Sequence, residues 1–259
     1  MRHRLSLLVT MGVLIVGTAV ALASEIEAFL SGAAKTCVRC DLSGRDLKSR
    51  DFARAKLDQA NLAKADLSAA SLFRASLVRA DLSGARLAGA NLNLIDAKWA
   101  KLADADLSES LMYEADLSSA DLSGANLKSA KLGRARLTGA NLEGAKLPGA
   151  DLRGARLAGA KLSGADLRAA ALHNQNLREL DLRGADFSMG DMPEADLRGA
   201  DLRAAQLAGV DLYGANLNGA DLRGANFEGA NLTNAILTDA KLEGAKFEGA
   251  IMPDGKRRE

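Results

Sequence analysis

From Leu42 to Met252 an apolar residue recurs at every fifth position with no slip of phase. Of 43 such positions 35 are Leu, and the others are Phe52, Ala97, Met112, Phe187, Met192, Phe227, Phe247 and Met252. A second column runs two residues ahead of the first. Between Ala55 and Ala250 it holds Ala at 34 of 40 places, with Ile95, Ser110, Gln175, Leu180, Gly190 and Val210 as the departures. A helix turns about 100° per residue and would spread these leucines around its whole surface, while a straight strand would send successive ones to opposite faces. What satisfies a period of five is a chain that turns a corner in every unit, with Leu and Ala inside and the intervening residues in water. The expected fold is a solenoid.

The repeating unit is Ala-(Asp/Asn/Lys/Arg)-Leu-x-(Gly/x), as in Ala120-Asp121-Leu122-Ser123-Gly124-Ala125-Asn126-Leu127. From about Asp41 to Met252 it resembles the A(D/N)LxX pattern of the pentapeptide-repeat family. The resemblance implies an all-β fold, a right-handed quadrilateral β-helix with one repeat on each of four sides and about 20 residues per coil. The chain would then form about ten coils, a rod ~50 Å long at the ~4.8 Å spacing of neighbouring strands. So thin a prism has no room for two large side chains per side, which accounts for the alanines. Gly at many fifth positions relaxes the corner, and the three prolines, Pro148, Pro193 and Pro253, all follow the central residue, where a corner tolerates them.

Four segments follow. In residues 1–23, Arg2, His3 and Arg4 precede an uncharged apolar run from Leu5 that ends in Ala21-Leu22-Ala23, the pattern of a secretory signal peptide cleaved after Ala23. An uncleaved membrane helix is the alternative, since Leu5 to Ala23 is long enough to span a bilayer. The expected location is the periplasm or the medium. Residues 24–40 read as an N-terminal cap, in which Ile26, Phe29 and Leu30 have the spacing of a short amphipathic helix plugging the exposed end of the rod. Residues 41–252 form the β-helix. The tail, 253–259, offers no comparable cap, and the resemblance implies a homodimer through that terminal coil.

Export would place Cys37-Val38-Arg39-Cys40 in an oxidising compartment, where a disulfide is expected to lock the start of the first coil, with free thiols as the alternative. Cys40 is in phase with the inward Ala column. Secreted members of the family look similar, with a CxxC just before the first Asp-Leu-Ser-Gly. A zinc site would need two more ligands, and a thioredoxin-like redox pair would need a βαβ setting that this repeat does not supply.

Charge separates the functions known within the family, whose acidic rods resemble B-form DNA and occupy topoisomerases. With Arg2 and Arg4 set aside, 32 basic residues face 33 acidic ones, a formal charge of −1. If residues 20 apart stack, Asp181, Asp201 and Asp221 form one ladder and Arg183, Arg203 and Arg223 another, a pattern of surface ion pairs rather than of a phosphate mimic. Nucleic acid is therefore not an expected partner, and a membrane is one only if the signal segment is retained.

No catalytic residue, cofactor or metal site is expected. His173 is the one histidine left after signal removal and reads as an exposed polar residue, and the carboxylates recur too regularly to single out a pair. One side departs from the pattern. Phe73, Tyr113, His173 and Tyr213 follow their central residues at separations that are multiples of 20, and Leu111 precedes Met112 on that same side. This is the candidate partner-binding strip. The chain reads as a non-enzymatic structural or protein-interaction module of the bacterial envelope. The alternatives are a DNA-mimic topoisomerase binder and a membrane-tethered scaffold, and the sequence names no protein partner.

Overall fold

Each five-residue unit has five backbone N–H groups to satisfy, and their destinations explain the architecture. In the unit of residues 61–65, the Asn61 N–H donates one coil back to the Cys40 carbonyl at 2.8 Å. Leu62 and Lys64 donate one coil forward, to Asp81 at 2.6 Å and Ser83 at 2.9 Å, and the Ala65 N–H closes a turn on the Leu62 carbonyl at 3.0 Å. The fifth N–H, on Ala63, reaches no neighbouring coil, and the Asn61 side chain accepts it through Oδ1 at 3.1 Å. Lys64 is in the left-handed region, φ 58°, as the third residue of a type II turn requires.

Repeated along the chain, this unit makes a right-handed quadrilateral β-helix. The computed structural model describes residues 24–259, and the signal segment expected over residues 1–23 lies outside them. Single parallel bridges in a register of 20 residues, Asp41 with Asn61 and Asn61 with Asp81, stack the coils. We number the sides by their central residues in the first coils: first Leu42, second Leu47, third Phe52, fourth Leu57. The leucine and alanine columns fill the interior, with Leu62, Leu122 and Leu182 and most of the alanines fully buried.

The N-terminal end is sealed. Helix α1, residues 24–30, lays Phe29 on Phe52, with ring centroids 5.2 Å apart, and Ile26 and Leu30 pack beside it. The Arg50 guanidinium donates to the Leu30 carbonyl at the end of this helix. Cys37 and Cys40 are joined by a disulfide and are both buried. Cys37 stands in phase with the leucine column and Cys40 with the alanine column, so the bond spans one turn of the repeat. Thr36 already bridges Lys56, and coil geometry begins there.

The opposite end differs from the expectation of an uncovered terminus. After Pro253 the tail turns back and pairs antiparallel, Ile251 with Arg257, while Arg258 exchanges hydrogen bonds with Gly249 and Ala250 and lies over the Phe247 ring at 5.5 Å. This covers the last repeats only. Ile236 and Leu242 remain exposed, at 45% and 38%.

One seam interrupts the ladder. Some oversized core residues are offset within their own repeat or turn, as Ile95 is by Ala97 and Phe187 by Gly190. Gln175 and Leu180 are not, because Leu177 and Leu182 keep their full size beside them. Beside them the hydrogen-bond ladder between two coils opens along the fourth side. The regular pattern would join the N–H groups of Gly154, Leu157 and Gly159 to the carbonyls of His173, Asn176 and Arg178, the Asn176 N–H to Ala155 and the Asp181 N–H to Ala160. None of these five bonds forms, and Arg156 does not bridge Asn176. The buried Gln175 amide donates to the Ala155 carbonyl instead.

Candidate interaction strip

Phe73, Tyr113, His173 and Tyr213 share the third side because each follows a central residue in the same register, Leu72, Met112, Leu172 and Leu212. At ~4.8 Å per coil, Phe73 and Tyr113 are ~10 Å apart along the axis, Tyr113 and His173 ~14 Å, and His173 and Tyr213 ~10 Å. The residues between them are Asn93, Gly133, Arg153 and Pro193. The strip is thus a series of separate contacts on one flat side rather than a continuous apolar surface.

Its one compact cluster is Leu111 with Tyr113, exposed at 42% and 44%. The two flank Met112 and both project outward. Gly133 leaves the space into which the Tyr113 ring leans, since a Cβ there would lie 3.4 Å from ring atom Cδ2, and Arg134 covers the ring at 5.8 Å. The Asn93 side chain fixes this segment by accepting the Tyr113 N–H at 2.7 Å. The other members are more engaged. Phe73 is half-buried under Arg74, 5.3 Å from its ring centroid, and the Tyr213 hydroxyl accepts a hydrogen bond from Asn234 at 3.1 Å. His173 Nε2 is 2.9 Å from the Asp191 carboxylate, whereas its Nδ1 is buried without a partner. Trp99 stands apart from the strip, on the far corner of the fourth side against Arg79.

The acid–base ladders are real pairs. Arg183 grips Asp181 with two hydrogen bonds, 2.7 and 2.6 Å, and Arg203 and Arg223 hold Asp201 and Asp221 in the same way. These guanidiniums hold each carboxyl below the usual carboxylate range, Asp221 at about 2. Among the described residues no His, Cys, Asp and Glu cluster has the form of a metal site, and no helix is long and apolar enough to cross a membrane.

A role that sequence reading passed over belongs to Asp and Asn ahead of the central Leu. Besides facing outward, their side chains accept the one N–H that no neighbouring coil can take, as Asp121 does from Ser123 at 3.1 Å. The tendency of Asx side chains to bond the backbone two residues on was the available signal.

The family model Pentapeptide repeats matches the chain in overlapping segments that together run from residue 37 to residue 252. Among solved structures, HetL, a pentapeptide repeat protein involved in heterocyst differentiation regulation from the cyanobacterium Nostoc sp. strain PCC 7120, is 32% identical, covering 90% of this chain and 97% of its own, with a TM-score of 0.40. QnrB1, a plasmid-mediated fluoroquinolone resistance protein, is 20% identical over 82% of this chain and 88% of its own, TM-score 0.31. Rfr23, from the cyanobacterium Cyanothece 51142, is 26% identical over 56% of this chain and 97% of its own, TM-score 0.22. No curated protein matches significantly. The unbroken five-residue columns, the 20-residue register and the family match together establish that the chain belongs to the pentapeptide-repeat family.

Proposed function

We propose that the protein is a non-enzymatic interaction module of the bacterial envelope, exported to the periplasm or beyond and released by cleavage after Ala23. The observation that carries this reading is the exposed pair Leu111 and Tyr113 on the rigid third side, held by Asn93 and Gly133. Exposed apolar side chains fixed on a stiff scaffold bind at little entropic cost. The disulfide at the sealed end suits an oxidising compartment.

Affinity capture from the native envelope tests the reading. Changing Leu111, Tyr113, His173 and Tyr213 together to Ser is expected to leave the far-ultraviolet dichroism intact and to abolish capture of the partner. Unchanged capture would remove the strip from consideration. Mass spectrometry of the N-terminus is expected to find Ser24 first. An intact Met1 in the membrane fraction would favour the tethered scaffold instead.

A second copy is the expected occupant of the open terminal coil. The N–H groups of Leu237, Asp239, Leu242 and Gly244 donate to no acceptor there, beside the exposed Ile236 and Leu242. Such an edge is a template for pairing. Light scattering should report a dimer that Leu242→Lys converts to a monomer. A monomeric wild type would overturn this. The topoisomerase-mimic reading draws less support, because the carboxylates at Asp181, Asp201 and Asp221 are each neutralised by an arginine.

A further inference from the structure

Where the third side meets the fourth, a furrow of about 710 Å³ runs along the rod, and its charges change sign along its length. Asp96, Glu114 and Asp116 line one end, and Arg134, Arg136 and Arg156 the other. Most of these charges are matched. Lys98 lies 2.8 Å from Asp96 and 3.4 Å from Asp116, Arg136 is 3.4 Å from Asp116, and Arg134 is 3.6 Å from Glu114. Burial alone would raise Asp116, but hydrogen bonds from Ser118 and the neighbouring Lys98 hold it below the usual carboxylate range, so it stays charged and engaged.

Arg156 is different. It makes no ion pair, and its bridged neighbour is Arg136. Among the described residues this is the only bridge that pairs two cations; Lys101 lies between Asp81 and Asp121, and Arg86 between Asp66 and Asp106. Like charges placed directly opposite on neighbouring strands repel. The seam adds a further donor beside them. The exposed Gly154, which also lines the furrow, has an N–H that has lost its expected acceptor, His173, and it carries no side chain to obstruct approach.

We infer that the basic end of this furrow, formed by Arg134, Arg136, Arg156 and the Gly154 N–H, is a binding site for a phosphate group. A multivalent oxyanion relieves the repulsion between the cations carried by these two bridged residues, and planar guanidinium donors match phosphate oxygens in pairs. The backbone N–H supplies an additional uncharged donor of the kind found in anion-binding nests. The group is carried either by free phosphate or by an anionic phospholipid head group, which share this chemistry. The site adjoins the Leu111 and Tyr113 cluster through Arg134, which lies over the Tyr113 ring.

The test is titration of the full mature chain with inorganic phosphate, followed by amide and arginine side-chain NMR. Saturable shifts at Gly154 and Arg156 are expected, together with a phosphate-dependent rise in melting temperature. Arg156→Gln should weaken binding at least about tenfold while leaving the dichroism unchanged, and Arg183→Gln, remote and already paired with Asp181, should bind as wild type. Sedimentation with phosphatidylglycerol vesicles separates the sources. Vesicle binding displaced by inorganic phosphate assigns a head group, and phosphate saturation without vesicle binding assigns the free ion. Absence of saturation with either through the millimolar range, or equal loss in both variants, would overturn the site.

Discussion

Closing the seam should cost far less than emptying an ordinary core position. Gln175→Ala with Leu180→Ala restores the regular alanine column, and the two coils can then approach to normal spacing. Five ladder hydrogen bonds would form, from Gly154, Leu157, Gly159, Asn176 and Asp181, worth together about 5 kcal/mol at about 1 kcal/mol each. Against this stand roughly 2 to 3 kcal/mol for the lost burial of Leu180, at ~0.8 kcal/mol per methylene, and about 1 kcal/mol for the Gln175 bond to Ala155. The terms nearly cancel. Leu132→Ala, in a well-formed stretch where nothing can close, should instead lose about 2 to 5 kcal/mol. Urea unfolding gives the comparison, and native-state hydrogen exchange locates it. In the wild type, the amides of Leu157, Gly159 and Asn176 should exchange faster than those of Leu137, Gly139 and Asn141, and the double variant should bring them level. If the double variant is as destabilised as Leu132→Ala, or those amides stay fast, the volume argument is wrong.

Three further outcomes are expected. Asp121→Ala removes the acceptor for both the Ser123 N–H and the Ser123 hydroxyl and should lower stability by about 1 kcal/mol, whereas Asp121→Asn should retain most of it, as chemical denaturation can show. Asp66 and Asp221, held at about 2 in the fold by Ser68 and Arg223 respectively, favour the folded state above the ordinary carboxylate value of about 4. That contribution should fade as pH falls from about 4 through about 2, and Asp66→Asn should flatten the acid limb of a melting curve measured against pH. Reducing the Cys37–Cys40 bond should cost about 2 kcal/mol for so short a loop, seen as an earlier urea midpoint.

The architecture was open to reading because one constraint recurs everywhere: each Leu and Ala answers to the same inward geometry, so phase alone reveals the prism. The ends and exceptions were less visible. That Arg258 would return over Phe247 depends on a turn at Pro253 to Gly255 that no periodicity announces. Gln175 and Leu180 stood out as irregular, but their effect falls between coils, on the missing bond from Leu157 to Asn176, and follows only from coil stacking. Among the strip residues, spacing alone placed Tyr113 and His173 on one side. It could not show that His173 turns to Asp191 while Tyr113 leans over Gly133.

The rod is asymmetric from pole to pole, with α1 and the disulfide blocking one terminus and the other only partly covered. A heterologous stack, tail of one molecule on head of the next, has no bare head to receive it, and so cannot propagate into a filament. Contact through the bare pole, as in the proposed dimer, would use up that pole on both molecules at once. In the proposed dimer growth would therefore halt at a pair, because the seven residues of α1, together with the disulfide, cover the other pole.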